Sequence, residues 1–151
     1  MRVVDIIAGG LAAAVAATLT APVHAQGHDG RGGRYDSEDG QALSVTLTPL
    51  PDDRYAISIS TTVPMRDGLP GCGGSITGAL RIADDTASLE VPNEGFVAGA
   101  PVSDANLEFC RIDLRFVDEH TIRMQEVSGC GYFHGAGCSF TGDVVHEASG
   151  I

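Results

Sequence analysis

The stretch Gly129–Phe140, GCGYFHGAGCSF, concentrates the residue types that could do chemistry. Cys130 and Cys138 bracket seven residues, and Tyr132, Phe133 and His134 stand side by side among glycines. An imidazole can donate, accept, ligate a metal or exchange a proton near neutral pH. Tyrosine and phenylalanine are the side chains that anchor interfaces. A loop fixed at its base also loses less entropy when a partner binds it. Tyr132, Phe133 and His134 are therefore the candidate binding residues. Two other outcomes suit the same letters: a stapled hairpin tip with both aromatics folded back on the core, or a metal or catalytic site centred on His134.

Elsewhere the chemistry is thinner. A catalytic nucleophile needs a base within hydrogen-bond reach and a third group to orient it. Ser75, in GCGGSITG, lacks the second glycine of a nucleophile elbow. His120 sits in an acidic turn and His146 near the tail, where solvated imidazoles are expected. Turn chemistry accounts for the adjacent carboxylates Asp52-Asp53 and Asp84-Asp85. His28 with Asp36, Glu38 and Asp39 misses the spacing of a calcium loop. There is no phosphate loop, dinucleotide fingerprint or H-E-x-x-H motif, and every basic residue is arginine, which excludes lysine Schiff bases. The expectation is a non-enzymatic protein with no cofactor and no metal. A formal charge of −11 argues against nucleic acid or an anionic membrane as partner and favours a basic protein.

The elements that must position these residues are strands. Met1–Ala25 has the pattern of a secretory signal: Arg2, an apolar run from Ile6 to Leu19, and the small-x-small triplet Val23-His24-Ala25. The run is too short for a membrane span of roughly 20 residues, so no anchor is expected after cleavage. Residues 26–40, QGHDGRGGRYDSEDG, carry one aromatic and are expected to be a disordered leader. From residue 41 the apolar period is two: Leu43, Val45 and Leu47; Tyr55, Ile57 and Ile59; Ile76, Gly78, Leu80 and Ile82; Cys110, Ile112, Leu114 and Phe116. About seven to eight short strands with tight turns predict an all-β domain over 41–147, a small antiparallel barrel or sandwich, with 148–151 as a frayed tail. Inward glycines at Gly78 and Gly142 are expected to mark bends or close approaches.

Export places the chain in a periplasmic or extracellular compartment, where four thiols in a small domain form two disulfides. Proximity in sequence favours Cys130–Cys138 with Cys72–Cys110. The alternative joins Cys110 to Cys130 across a hairpin, puts Cys72 with Cys138, and leaves the His134 loop free to flex.

A histidine on a short, disulfide-closed loop resembles the key loop of periplasmic lysozyme inhibitors of the Ivy type. The match covers Cys130, His134 and Cys138; here the loop is longer and has no proline beside the histidine. In size, export and strand content the chain is also similar to the small-barrel inhibitors of the MliC type, without their Ser-Gly and tryptophan motifs. The resemblance implies an exported binding or inhibitory module whose loop enters the cleft of a lysozyme-type hydrolase, the imidazole engaging a carboxylate there. On that view His134→Ala weakens inhibition and leaves the melting temperature nearly unchanged. The alternative is a small structural or ligand-binding periplasmic β-barrel.

Overall fold

The computed structural model describes residues 30–38, 42–103 and 106–149. The signal segment, His28, Asp39 and the last two residues lie outside the described residues.

Alternating apolar residues become alternating buried residues. Strand β1 is Gly33–Asp36, β2 Ala42–Leu50, β3 Arg54–Val63, β4 Cys72–Arg81, β5 Thr86–Pro92, β6 Phe109–Phe116, β7 Thr121–Ser128 and β8 Gly142–His146. Leu43, Val45 and Leu47 of β2 face Ile57, Ile59, Ile112, Leu114, Met124 and Phe140 in one core. The strands form a single antiparallel sheet in the order β4-β3-β2-β1-β8-β7-β6-β5. Every ladder but one joins strands consecutive in sequence; the exception pairs β1 with β8, so the first and last strands lie side by side. The edge strands β4 and β5 come together without a ladder, and the sheet is a nearly closed barrel. Gly78 leaves room at that seam for Leu89. A Cβ there would meet the Cδ1 of Leu89 at 2.7 Å, and Leu89 fills the space itself.

β1 lies inside the segment expected to be a disordered leader. One aromatic suffices because β1 is paired on both sides, with β2 and β8, and so needs little apolar surface of its own. Tyr35 is fully buried, and its hydroxyl donates to the Arg31 carbonyl at 2.9 Å. The ordered domain therefore begins before residue 41.

Both disulfides form, but not in the favoured pairing. Cys72 bonds Cys138 and Cys110 bonds Cys130, with Cα atoms 5.8 and 4.4 Å apart. The reason is the β6–β7 hairpin: Arg111 pairs with Ser128, which sets Cys110 beside the residues that follow β7. Cys130 is thus held by a strand neighbour rather than by the cysteine nearest it in that loop. The loop between Cys130 and Cys138 is nevertheless not free. Its residues pair with the exposed edge of β4: Ser75 N–H donates to Phe133 O at 3.0 Å and Gly135 N–H to Gly73 O at 3.2 Å. An edge that would otherwise be open to another chain is covered in this way.

The barrel has two unlike ends. One carries the loops 64–71, 93–108 and 129–141, together with both disulfides. The other carries the short turns between β2 and β3, β4 and β5, and β6 and β7.

Candidate functional site

At the disulfide end, a short 3-10 turn over Cys130–Tyr132 leads from β7 into the loop singled out by the sequence. Gly129 precedes it at φ 73°, and a Cβ there would lie 2.1 Å from Phe109 O, so a side chain is excluded by backbone as well as by conformation. Asn93, buried at the end of β5, donates through its amide to Leu107 O and Gly129 O, both at 2.9 Å. One side chain thereby fastens the 93–108 loop to the 129–141 loop. Cys72–Cys138 fastens the 64–71 loop to the same place.

The three candidate residues part company here. Tyr132 is 48 % exposed and rests its ring against Gly95, whose Cα has no side chain to displace it. Phe133 is half-buried and packs on the core. His134 is turned inward, with only 9 % of its side chain exposed. Its Nε2 donates to the Glu126 Oε2 at 3.0 Å, and its Nδ1 faces the Gly135 carbonyl oxygen at 3.0 Å. Both nitrogens thus face oxygen acceptors. The imidazole stands edge-on to Phe140, with centroids 5.0 Å apart.

Glu126 is the hub of this arrangement. Besides His134, its Oε2 accepts from Phe140 N–H at 3.1 Å and from Ser139 Oγ at 3.3 Å. One carboxylate oxygen therefore ties β7 to three residues of the loop and its exit. Ser139 donates to the carboxylate rather than to the imidazole, so a nucleophile–base–carboxylate relay is not what these contacts build. They build a lock. The sequence signal for Glu126 is its parity: Ile122 and Met124 face inward, and Glu126 continues the same face of β7. A carboxylate at an inward position requires partners.

Around this lock lies the exposed apolar surface. Of the nine large hydrophobic side chains exposed among the described residues, eight belong to this end. Met65 and Leu69 come from the first loop, Phe96, Val97 and Val102 from the second, Phe109 and Val127 from the strand ends, and Tyr132 from the third. Only Val117 lies elsewhere. Asp67, Glu94 and Glu108 stand among them against a single arginine, Arg66.

The other candidate groups lie away from the loop. Ser75 is exposed on β4. His120 and His146 meet at the opposite end, with ring centroids 6.4 Å apart, beside a cleft of about 780 Å³ that Arg31 and Asp85 also line. His146 is not simply solvated: its Nε2 donates to Gly32 O at 3.3 Å, its Nδ1 accepts from Ala148 N–H at 3.1 Å, and its ring stands edge-on to Tyr35. In the same cleft the Asp118 carboxyl is held below the usual carboxylate range, chiefly by the backbone N–H of His120. Asp36, from the leader, pairs with Arg34. Among the described residues, no three His, Cys, Asp or Glu side chains are grouped to hold a metal ion.

Compared with known protein families, with curated proteins and with solved structures, the chain matches none.

Proposed function

We propose that the chain is an exported binding module that engages a basic partner protein through the disulfide end of its barrel. The observation that carries this reading is the segregation of eight exposed large hydrophobic side chains to one end. Exposed apolar residues scattered singly need no explanation, whereas their concentration on tethered loops is the mark of an interaction surface. Loops fixed by two disulfides and by the Glu126 lock lose little entropy on docking. The acidic side chains among the apolar tips and the net charge of −11 favour encounter with a positively charged protein.

A lysozyme-type hydrolase remains the first partner to test, because it offers a basic surface around a cleft. The contact residues differ from those the key-loop resemblance implies. Tyr132 with Phe96 and Val102 supplies the contact, while His134, occupied by its own Glu126, holds Tyr132 and Phe133 in place.

The test is titration of the oxidised protein with a basic lysozyme, followed by calorimetry and by residual lytic activity. The expected result is a complex that weakens with added salt and that is lost on Tyr132→Ala combined with Phe96→Ser and Val102→Ser, with the melting temperature retained. A complex unaffected by those three changes sinks the assignment of the surface. Absence of any complex at low ionic strength removes the lysozyme as partner.

A further inference from the structure

On an acidic chain, four of nine basic residues gather on one strip of the barrel's outer face. Arg81 at the end of β4, Arg111 and Arg115 on β6, and Arg123 on β7 line a groove of about 590 Å³ that holds a single carboxylate, Asp113. Two of the four are already neutralised. Arg123 grips Asp143 through Nε at 2.9 Å and Nη2 at 2.7 Å, and Arg111 reaches Asp113 at 3.2 Å and Glu90 at 4.0 Å. Asp113 is spoken for as well, since it accepts from Ser88 Oγ at 2.9 Å. The guanidinium groups of Arg81 and Arg115 have no hydrogen bond or ion pair among the described residues.

The placement is also costly for the sheet. Arg115 lies directly opposite Arg123 across the β6–β7 ladder, and Arg81 directly opposite Arg54 across β3–β4. Like charges at such positions destabilise a strand pair, an effect that Asp143 offsets for Arg123 but that no ion pair among the described residues offsets for Arg54 and Arg81. Acidic residues outnumber basic ones by 20 to 9, so counter-charges are abundant in the chain, yet the single carboxylate of the groove, Asp113, is engaged by Arg111 and Ser88 rather than by these two guanidinium groups.

We propose that the groove binds a compact, multivalent oxyanion held between Arg81 and Arg115. A guanidinium presents a planar fork of donors that matches carboxylate and phosphate oxygens two at a time. The groove's volume lies within the range of small-ligand sites, about 300–1,000 Å³. Compactness follows from electrostatics: an extended polyanion or an anionic bilayer would meet the net charge of −11, whereas a small anion feels the local excess of arginine. The site is on the outer wall, away from the apolar loops, and does not depend on the function proposed for them.

Tripolyphosphate and citrate serve as probes, titrated calorimetrically into the oxidised protein at near-physiological salt. The variants are Arg81→Gln, Arg115→Gln and, as a control of equal charge change, Arg66→Gln in the loop at the disulfide end. Saturable binding of either anion is expected, with phosphate or carboxylate preference read from which of the two binds tighter. Each groove variant should weaken it about tenfold, the worth of a hydrogen bond to a charged group, and Arg66→Gln should not. Without anion, Arg115→Gln should melt no lower than the parent, because the Arg115 guanidinium has no ion pair among the described residues to lose. Failure of both anions to bind the parent protein overturns the site. So does an equal loss in Arg66→Gln, which would reduce the effect to overall charge.

Discussion

The two ends of the barrel solve the same problem, reversing the chain between strands, by different physics. At the end with short turns, Asp52, Asp53 and Asp84 adopt positive φ of 62°, 54° and 54°, a region that aspartate tolerates better than most side chains. Within these turns Ala83 and Thr86 exchange backbone hydrogen bonds and Asp118 receives the N–H of His120, while Arg31 reaches across to the Asp84 carbonyl and the Asp85 carboxylate. At the other end the connections are longer, and their internal turns, such as Leu69 N–H to Arg66 O and Phe96 N–H to Asn93 O, do not join one loop to the next. They are fixed by covalent and buried polar links between loops distant in sequence: Cys72–Cys138, Cys110–Cys130, Asn93 and the Glu126–His134 pair. Long loops held from outside are free to vary at their tips, and there the exposed apolar residues collect. The end whose long loops are tethered by disulfides is thus the end with a surface to offer.

Removing the tethers should break this contrast most strongly. In the chain-entropy model, the bridge spanning 66 residues contributes about 4 kcal/mol and the one spanning 20 about 3 kcal/mol. Cys72→Ala with Cys138→Ala should therefore lower the urea midpoint more than Cys110→Ala with Cys130→Ala. Hydrogen exchange should show protection lost first in 64–75 and 130–141, with the β2–β3 and β6–β7 turns little changed. Equal loss of protection at both ends would mean that the bridges stabilise the barrel as a whole and that the loops are not separately tethered.

A sharper comparison uses neighbouring glycines of β4. A Cβ on Gly74 would lie 2.3 Å from His134 Cβ and 2.5 Å from Phe133 O, whereas one on Gly73 would touch nothing closer than Thr61 O at 3.9 Å. Gly74→Ala must push the loop off the strand edge; Gly73→Ala need not. His134→Ala should act like Gly74→Ala, because it deprives the Glu126 carboxylate of its charge-capable partner, a loss of about 2 kcal/mol for a buried hydrogen bond of this kind. Stability measured by denaturant should fall for both and hold for Gly73→Ala. This reverses the expectation that His134 can be removed at no cost in stability. An unchanged midpoint in His134→Ala would show that the lock holds nothing.

Much of the architecture was legible because burial in a barrel alternates with period two. The runs through Leu43, Tyr55 and Cys110 specified their strands, and Gly78, read as a bend or close approach, does lie close to Leu89 of β5. β1 escaped because a strand paired on both sides can be ordered by its backbone, so a single buried Tyr35 left almost no pattern to find. The disulfide pairing found is the one read as the alternative, not the one favoured, for a related reason. Loop entropy depends on separation along the chain, but which sulfurs meet depends on ladder register, and the shift between Arg111 and Ile112 that aligns Cys110 with Cys130 has no signature in the letters. At the site, the loop itself was conspicuous, yet the direction of His134 was set by Glu126, whose inward parity on β7 was the available clue. The arginine groove was invisible along the chain, since β4, β6 and β7 contribute one or two residues each.

The turn end offers the smallest effect and the cleanest sign. Asp118 titrates below the ordinary carboxylate range because its charged form accepts the His120 N–H, with Thr121 adding to the same effect. A carboxyl depressed in the folded state stabilises fully above its unfolded pKa, and that contribution disappears as pH falls through the folded value. Asp118→Asn should therefore cost stability at neutral pH and progressively less as the solution is acidified below the usual carboxylate range. The group is fully exposed and screened by salt, so the difference should be small. Disulfides do not titrate, and the penalty for losing Cys72–Cys138 should keep its size over the same acid range. Urea midpoints of parent, Asp118→Asn and the double-cysteine variant at a series of pH values separate the two behaviours. A penalty for Asp118→Asn that is independent of pH would show that the turn is held by its backbone geometry alone, and that the carboxylate adds nothing to it.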